Sequence, residues 1–505
     1  MHPTSGESEP GSAGRAPKIV LVVVLVFFLA MTLVLNRLDH HDLTTPESNH
    51  LLQTYLVHKR SFDNVESPIR SSMYFNYPPM FYWVSSLIVP SNVPNRHAAT
   101  FILWFWTALG LGAFFAFVRR RTCSWTALFA VTALVAAPAF RINFLYFYLD
   151  VAVFAMLFIY LALLDRSRAM ALKMESTAAG AALGLGFLVR WDFPFLVALP
   201  TLAAIVRHGA EYRGRHWTRL FLFGAPAVAT AVLFFKIANG IPEGGTMGEE
   251  ATVDAIVSWD NLLFYPRLWV ASFLGHGMAL LAAAGTLVGL WRDRRNTLWY
   301  LLVLVGVLTL YTPIAHKTIK YTLLPSTALC CALMATLWRV VRGPWRLVLI
   351  GLLCASNVTT FSRAIHGEKP FGEEYGGQIA VRGVDPLDSG LARYQELLQA
   401  RCPNYCHVGL VDTLPASMLE RGLQLDGESA WALNWSARAI TGTRFIVRPI
   451  GVEDIPLNDV NVYLVPKLLR DDVPDMRGTI DPVAIYSEAG PSQWYLMTPT
   501  TQPLR

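Results

Sequence analysis

Long apolar runs, each about the length of a membrane-crossing helix, alternate along this chain with short polar breaks. A helix needs roughly 20 apolar residues to cross the hydrocarbon core of a bilayer. Runs of that order lie near residues 18–36, 99–118, 124–140, 144–164, 176–190, 193–206, 219–238, 267–290, 298–314, 321–338 and 345–362. The pattern predicts a mainly α, polytopic transmembrane bundle of about 11 spans. The fifth and sixth runs are short and predict a tight hairpin around Arg190-Trp191-Asp192. The first run is too long for a cleaved signal peptide, and no small-residue cleavage site precedes the acidic stretch after it. Beyond residue 362 the pattern changes. Strand-like runs (HVGLV, RFIVRPI, VNVYLVP and QWYLM) alternate with helix-like ones (LARYQELLQA and LPASMLERGLQL), predicting a small α/β domain over residues 363–505. No internal repeat is evident.

Composition agrees with the pattern. Of the 505 residues, 53% are hydrophobic and 15% charged, against about 25% charged in soluble domains. The net charge of +6 would suit nucleic acid, but the basic residues sit in short clusters between apolar runs. That is how membrane loops are built, so a nucleic-acid partner is excluded. Arg119-Arg120-Arg121, DRSRAMALK, RHGAEYRGRHWTR, WRDRR and WRVVRGPWR occupy alternate loops, on the same side as Arg15 and Lys18. The positive-inside rule makes that side the cytoplasm. The expected layout is then a disordered cytoplasmic tail at 1–17, a membrane domain at 18–362 and an extracytoplasmic domain at 363–505. A long outer loop spans 37–98.

Cys123, Cys330, Cys331 and Cys354 lie in or beside apolar runs and are expected to be inert core residues. Cys402 and Cys406, in CPNYC, suit a disulfide if their region is extracytoplasmic. No further Cys or His pair at zinc spacing follows them.

The candidate chemistry gathers at outer ends. Asp150 lies about six residues into the apolar run NFLYFYLDVAVFAMLFIYLALL, where a carboxylate costs about 2.5–3.5 kcal/mol. Such an expense points to function, and a water-exposed helix mouth is the plainer alternative. The first outer loop opens with RLDHHDLTTPESNH, which supplies Asp39, Asp42, Glu47 and His50. His50, Leu51, Leu52, Tyr55 and Leu56 share one helical face, so this part is expected to lie in the membrane interface. FNYPPMFYWVSSLIVP places two prolines before aromatic residues, which suits a second interfacial helix. Near residues 316–328, HKTIKYTLLPSTA sets Lys317, Lys320 and Tyr321 at an outer helix end. They suit an anionic lipid-linked substrate, with snorkelling as the alternative. Arg190 suits phosphate equally, and a local Arg190–Asp192 pair competes with that reading.

These segments together resemble the polytopic GT-C glycosyltransferases, in particular bacterial relatives of protein O-mannosyltransferases and of lipid A aminoarabinose transferases. The likeness covers residues 18–362 and, in layout, the C-terminal region. It rests on PESNHLLQTYLVHK, on NYPPMFYW, on Asp150 ahead of a span ending in DRSR, and on GAALGLGFLVRWDFPFLVALP with HKTIKYTLLPSTA. The resemblance implies transfer of a sugar from a polyprenyl-phosphate carrier to a glycolipid, glycan or protein hydroxyl outside the plasma (bacterial inner) membrane. It implies catalytic roles for Asp42, Glu47, Asp150 or Asp39. It implies lipid-phosphate or sugar contacts from Arg190, Lys320, Tyr321, His50, Tyr77 and Lys317. A carboxylate serves as base or positioning group for the acceptor, and cations stabilise the leaving phosphate. No Walker loop or Rossmann glycine pattern is present, so no nucleotide site is expected. A divalent cation remains open, since the Asp and His spacing is not diagnostic.

The chain departs from the family's pattern at Pro46, where the usual Asp of an Asp-Glu pair is replaced ahead of Glu47. Asp42, Asp39 or Glu47 itself then competes for that role. His50 stands where Tyr is common, and Asn76-Tyr77 where the aminoarabinose branch often carries a charged pair. Two other classes fit less well: a transporter of lipid-linked sugars, which predicts charges near the midplane, and a non-catalytic envelope assembly protein.

Overall fold

The computed structural model describes residues 15–38, 54, 78–88, 96–145, 149–168, 172–208, 216–237, 259–312, 323–365, 397–398, 400, 406–413, 445–451, 462–466, 481–487 and 490–497. The described chain is mainly helical. Among the described residues the helices are α1 (Arg15–Leu38), α2 (Met80–Ile88), α3 (Arg96–Arg121), α4 (Ser124–Ala136), α5 (Pro138–Leu145), α6 (Asp150–Arg166), α7 (Lys173–Val189), α8 (Phe193–His208), α9 (His216–Ile237), α10 (Trp259–Leu268), α11 (Gly275–Arg292), α12 (Arg294–Tyr311), α13 (Leu323–Val340) and α14 (Trp345–Ile365). A π-helical turn, Trp269–Phe273, joins α10 to α11. The strands β1 (Cys406–Thr413), β2 (Phe445–Gly451), β3 (Val462–Pro466), β4 (Asp481–Ser487) and β5 (Gly490–Met497) follow.

The chain divides into two compact units, one centred on the helices and the other holding the strands. The helical unit is built around α13, which is buried along nearly its whole length and packs against α4, α11 and α12. Small residues bring other helices together. A Cβ at Gly180 would strike the Phe223 carbonyl, and one at Gly184 would meet Thr230 Oγ1 at 2.8 Å, so α7 and α9 approach closely. Gly180 and Gly184 form a GxxxG pair, the spacing that lets helix backbones touch in a membrane. Gly285 and Gly289 repeat it on α11, where Gly285 faces the backbone of Leu333 and Met334.

Apolar side chains also cover the outside. Phe195, Leu280 and Trp291 are 66%, 71% and 75% exposed, and Val23 and Val26 on α1 are 60% exposed. Water would penalise such a surface, whereas lipid is as apolar as the side chains themselves. Arg15–Val34, Thr100–Arg121 and Leu323–Val340 are long and apolar enough to cross a membrane by length and composition. The protein is a membrane protein.

Two apolar runs divide differently from the sequence pattern. The run 124–140 is not one helix: Ala137 is extended (φ −69°, ψ 142°) because Pro138 disfavours a helical residue before it. Asn357 of α14 donates from Nδ2 to the Ala136 carbonyl at 2.7 Å, satisfying an acceptor beside the break. The run 144–164 is not one helix among the described residues: its first two residues close α5, and α6 starts at Asp150. The short hairpin is present, with α7 ending at Val189 and α8 starting at Phe193. Of the cysteines, Cys330 and Cys331 are buried, Cys354 is half-buried and Cys123 is exposed, so Cys123 is not a core residue. Phe81 and Tyr82, expected at the lipid interface, are fully buried, and Phe81 stacks on Trp106 at 6.1 Å between ring centres.

In the second unit the strands form one mixed sheet in the order β2-β1-β3-β5-β4. β1 pairs in parallel with β2 and β3, while β3–β5 and β4–β5 are antiparallel. The central strand β3 is buried at all five positions, as expected of a strand covered on both faces. Each of the four strand-like runs lies on a strand, and β4 was not foreseen. Cys402 and the segment LPASMLERGLQL fall outside the described residues.

The glycine contacts yield a contrast. Gly180→Ala is expected to destabilise the protein by about 1–3 kcal/mol through forced separation of α7 and α9. Gly112→Ala meets nothing within 4 Å and should hold or raise stability, since Ala favours helix by about 1 kcal/mol over Gly. Thermal unfolding of the detergent-solubilised variants measures both.

Candidate active site

Helix ends carry the polar chemistry of the bundle. Asp150 is the first residue of α6, not a residue within its span. A carboxylate there faces the positive end of the helix dipole, which reduces the cost of its partial burial. Arg190 follows α7, where its extended backbone turns the chain into α8 and its N–H donates to the Gly186 carbonyl at 2.9 Å. Asp192 accepts from the Phe195 and Leu196 N–H groups through its backbone carbonyl at 3.0 and 3.1 Å, starting α8. Tyr311 closes α12.

These four residues form one network. Arg190 donates from Nε to Asp192 Oδ1 at 2.6 Å and from Nη2 to Asp192 Oδ2 at 2.9 Å. Its Nη1 donates to Asp150 Oδ1. The Tyr311 hydroxyl donates to Asp192 Oδ2 at 3.1 Å, and the guanidinium carbon lies 5.1 Å from the centre of the Tyr311 ring. Side-chain exposure is 8% for Arg190, 13% for Asp150 and 29% for Asp192. Two carboxylates thus share one guanidinium. Both oxygens of Asp192 are engaged, whereas Oδ2 of Asp150 takes no hydrogen bond among the described residues. Of the two, Asp150 is the one with a wholly unengaged oxygen among the described residues.

The neighbourhood of Asp150 follows from helix register. Gly110 of α3 abuts Phe154, and Arg121 pairs with Asp165, both at a separation of 44 residues. The two helices therefore run parallel with a constant offset, which brings Trp106 level with Asp150. Trp106 is the ring on which Phe81 stacks. Phe81, Asp150 and Arg190 consequently lie toward one end of the bundle.

Of the ten candidate site residues, the structure places Asp150 and Arg190, and it brings them into contact. Asp39, Asp42, Glu47, His50, Tyr77, Lys317, Lys320 and Tyr321 lie outside the described residues. The local Arg190–Asp192 pair exists alongside the Arg190–Asp150 pair. Tyr311 was not singled out in sequence, because a Tyr closing an apolar run looks like any interfacial aromatic. Among the described residues no group of three or more His, Cys, Asp or Glu is placed to hold a metal ion.

The opposite end has its own network. Arg121 donates to both oxygens of Asp165, and Arg339 pairs with Asp293. Asn296 Nδ2 donates to the Arg121 carbonyl at 3.0 Å and to both Asp293 oxygens. The basic ends of α3, α6, α11 and α13 thus meet on one side, as the alternation of basic loops requires.

No family model matches the chain, and no curated protein matches its sequence. Solved structures do match. The crystal structure of ArnT from Cupriavidus metallidurans bound to undecaprenyl phosphate has a TM-score of 0.62 at 14% identity, covering 93% of this chain and 97% of its own. The apo form of that protein gives 0.59 at 14% identity, covering 94% and 97%. The Archaeoglobus fulgidus oligosaccharyltransferase in its apo form gives 0.49 at 11% identity, covering 96% of this chain and 75% of its own. The GT-C resemblance read from sequence holds at the level of the fold.

The ion network generates a stability test. Arg190→Leu leaves two carboxylates without their cation and is expected to cost about 3 kcal/mol or more. Adding Asp150→Asn to Arg190→Leu should recover part of that loss, because one uncompensated charge is then removed. Denaturation of the single and double variants in detergent reads the difference.

Proposed function

We propose that this protein is a membrane glycosyltransferase that moves a sugar from a polyprenyl-phosphate-linked donor to a hydroxyl acceptor. The acceptor class is a glycolipid, polysaccharide or protein on the outer side of the membrane. The observation that carries the reading is the Asp150 carboxylate, tethered on one oxygen by Arg190 and open on the other. It sits in a bundle with the fold of a transferase solved with undecaprenyl phosphate. A carboxylate so placed accepts or orients the proton of an acceptor hydroxyl. Displacement of the sugar leaves a lipid phosphate, whose charge requires cations. Lys317 and Lys320, with Tyr321, His50 and Tyr77, are the proposed contacts to phosphate and sugar. Arg190 is already bound to two carboxylates, which favours a hold on Asp150 over direct contact with the phosphate. A second carboxylate comes from the first loop, with Glu47 favoured by alignment and Asp42 by chemical type, and Asp39 behind them.

The proposed topology has eleven spans, a cytoplasmic N-terminus and an extracytoplasmic sheet domain, in the plasma (bacterial inner) membrane. Its support is the meeting of four basic helix ends on one side of the bundle, the side that the positive-inside rule assigns to the cytoplasm.

Proteoliposomes given a panel of polyprenyl-phosphate sugars are expected to release polyprenyl phosphate. Asp150→Asn should lower that turnover about 10²- to 10⁴-fold; full turnover in this variant removes Asp150 from the mechanism, and no release from any donor sinks the transferase reading. For topology, an export-dependent reporter fused after Ile365 should be active. A reporter that works only in the cytoplasm overturns the eleven-span arrangement.

A further inference from the structure

We infer that Tyr311 and Asp192 form a positioning pair that sets the orientation of the Asp150 carboxylate through Arg190. The inference rests on the reading of Asp150 as the reacting carboxylate. Its basis is the order in which the four groups hold one another. A guanidinium is planar, with its N–H groups in a fixed fork. Asp192 grips the Nε/Nη2 edge of Arg190 with both oxygens, at 2.6 and 2.9 Å, which fixes the plane of the group. Nη1 then emerges toward Asp150 Oδ1 in one direction only.

Asp192 is itself held. Its Oδ2 accepts from the Tyr311 hydroxyl at 3.1 Å. Tyr311 is 1% exposed, so its hydroxyl is fixed by the packed end of α12. The same ring lies against the guanidinium, 5.1 Å from centre to carbon, and opposes tilting of the Arg190 plane. The chain of contacts therefore runs from the core-anchored Tyr311 to Asp192, to Arg190, and ends at Asp150. Only this last carboxylate keeps an oxygen without a hydrogen bond among the described residues. The two acids are chemically alike and differ in role. Asp192 holds the cation with both oxygens, and Asp150 is held by it through one. A reacting group must be held within a fraction of an ångström of its productive position, and side chains behind it supply that restraint.

A purely structural cross-link between α6, the α7–α8 turn and α12 would affect stability and leave each folded molecule's turnover alone. Tyr311→Phe separates the two roles, because it keeps the ring on Arg190 and removes only the hydroxyl. The expected result is a fall in kcat of roughly 10- to 100-fold, with donor KM changed less than about twofold. Asp192→Asn should act in the same direction. The double variant should be no worse than the more damaged single one, because both act through Arg190. An activity-independent readout is the infrared carboxylate band of Asp150, isolated by subtracting the spectrum of Asp150→Asn. Tyr311→Phe should shift or broaden it, and Asp192→Asn carries the same measurement if Tyr311→Phe does not fold. An unmoved band overturns the inference, as does a moved band with wild-type kcat. If the wild-type protein turns over no polyprenyl-phosphate sugar, the transferase reading fails on its own, and the band alone decides whether the pair positions Asp150.

Discussion

One guanidinium shared by two carboxylates organises the end of the bundle that carries the candidate chemistry. Arg190 is 6% exposed, and a charge so placed persists only when it is paired and hydrogen-bonded. Meeting that requirement draws together the start of α6, the turn between α7 and α8, and the last residue of α12. Arg190 and Asp192 both lie in the break between α7 and α8, so the hairpin turn supplies two of the four members of the ion network. Its consequence is asymmetry between two acids. Asp192 accepts a hydrogen bond on each oxygen, whereas Oδ2 of Asp150 accepts none among the described residues.

The far end of α6 is tied just as firmly, by Arg121 on Asp165. Asp150 and Asp165 are fifteen residues apart, about 22 Å along a helix, which approaches the thickness of a bilayer's apolar core. The helix thus carries an acid at its dipole-positive start and an acid–arginine pair at its finish, with only apolar or aromatic residues between them. The basic loops share that finish through Asn296 and the Asp293–Arg339 pair. Charge alternation along the chain and physical contact between loops are therefore two views of one constraint. A chain that threads an apolar layer must put its cations at the ends, and here Arg121 and Arg339 are linked through Asn296 and Asp293.

Between the two ends, helices are held by shape. Water drives apolar faces together in a soluble core, but lipid does not. Close contact at Gly180, Gly184, Gly285 and Gly289 supplies dispersion instead, by letting backbone meet backbone or side chain. The glycine-rich run of α7 serves this packing and, at its end, delivers Arg190 to the site. Packing and site geometry are consequently coupled: a shift of α7 against α9 moves the guanidinium.

Much of this was legible in the residues. Apolar run lengths determined the helical class, and the basic clusters marked helix ends of which several meet. The four alternating runs of the C-terminal region foretold four of the five strands, because period-two patterning and β-branched content need no tertiary information. Asp150 and Arg190 stood out because ionisable groups in apolar runs are rare. What the sequence could not determine was how these groups engage. The apolar run sets Asp150 inside a span, whereas it begins its helix, as the family resemblance implies; Phe81 and Tyr82 read as interface rings, yet they are core; Tyr311 carries no signal in the run it closes. Each error has the same origin. Lipid and protein interior offer an apolar side chain nearly equal comfort, so hydrophobicity along the chain does not say which of the two a residue faces. Only the packing of separate helices against one another, over separations of 40 to more than 100 residues, decided which carboxylate is consumed by Arg190 and which is left open.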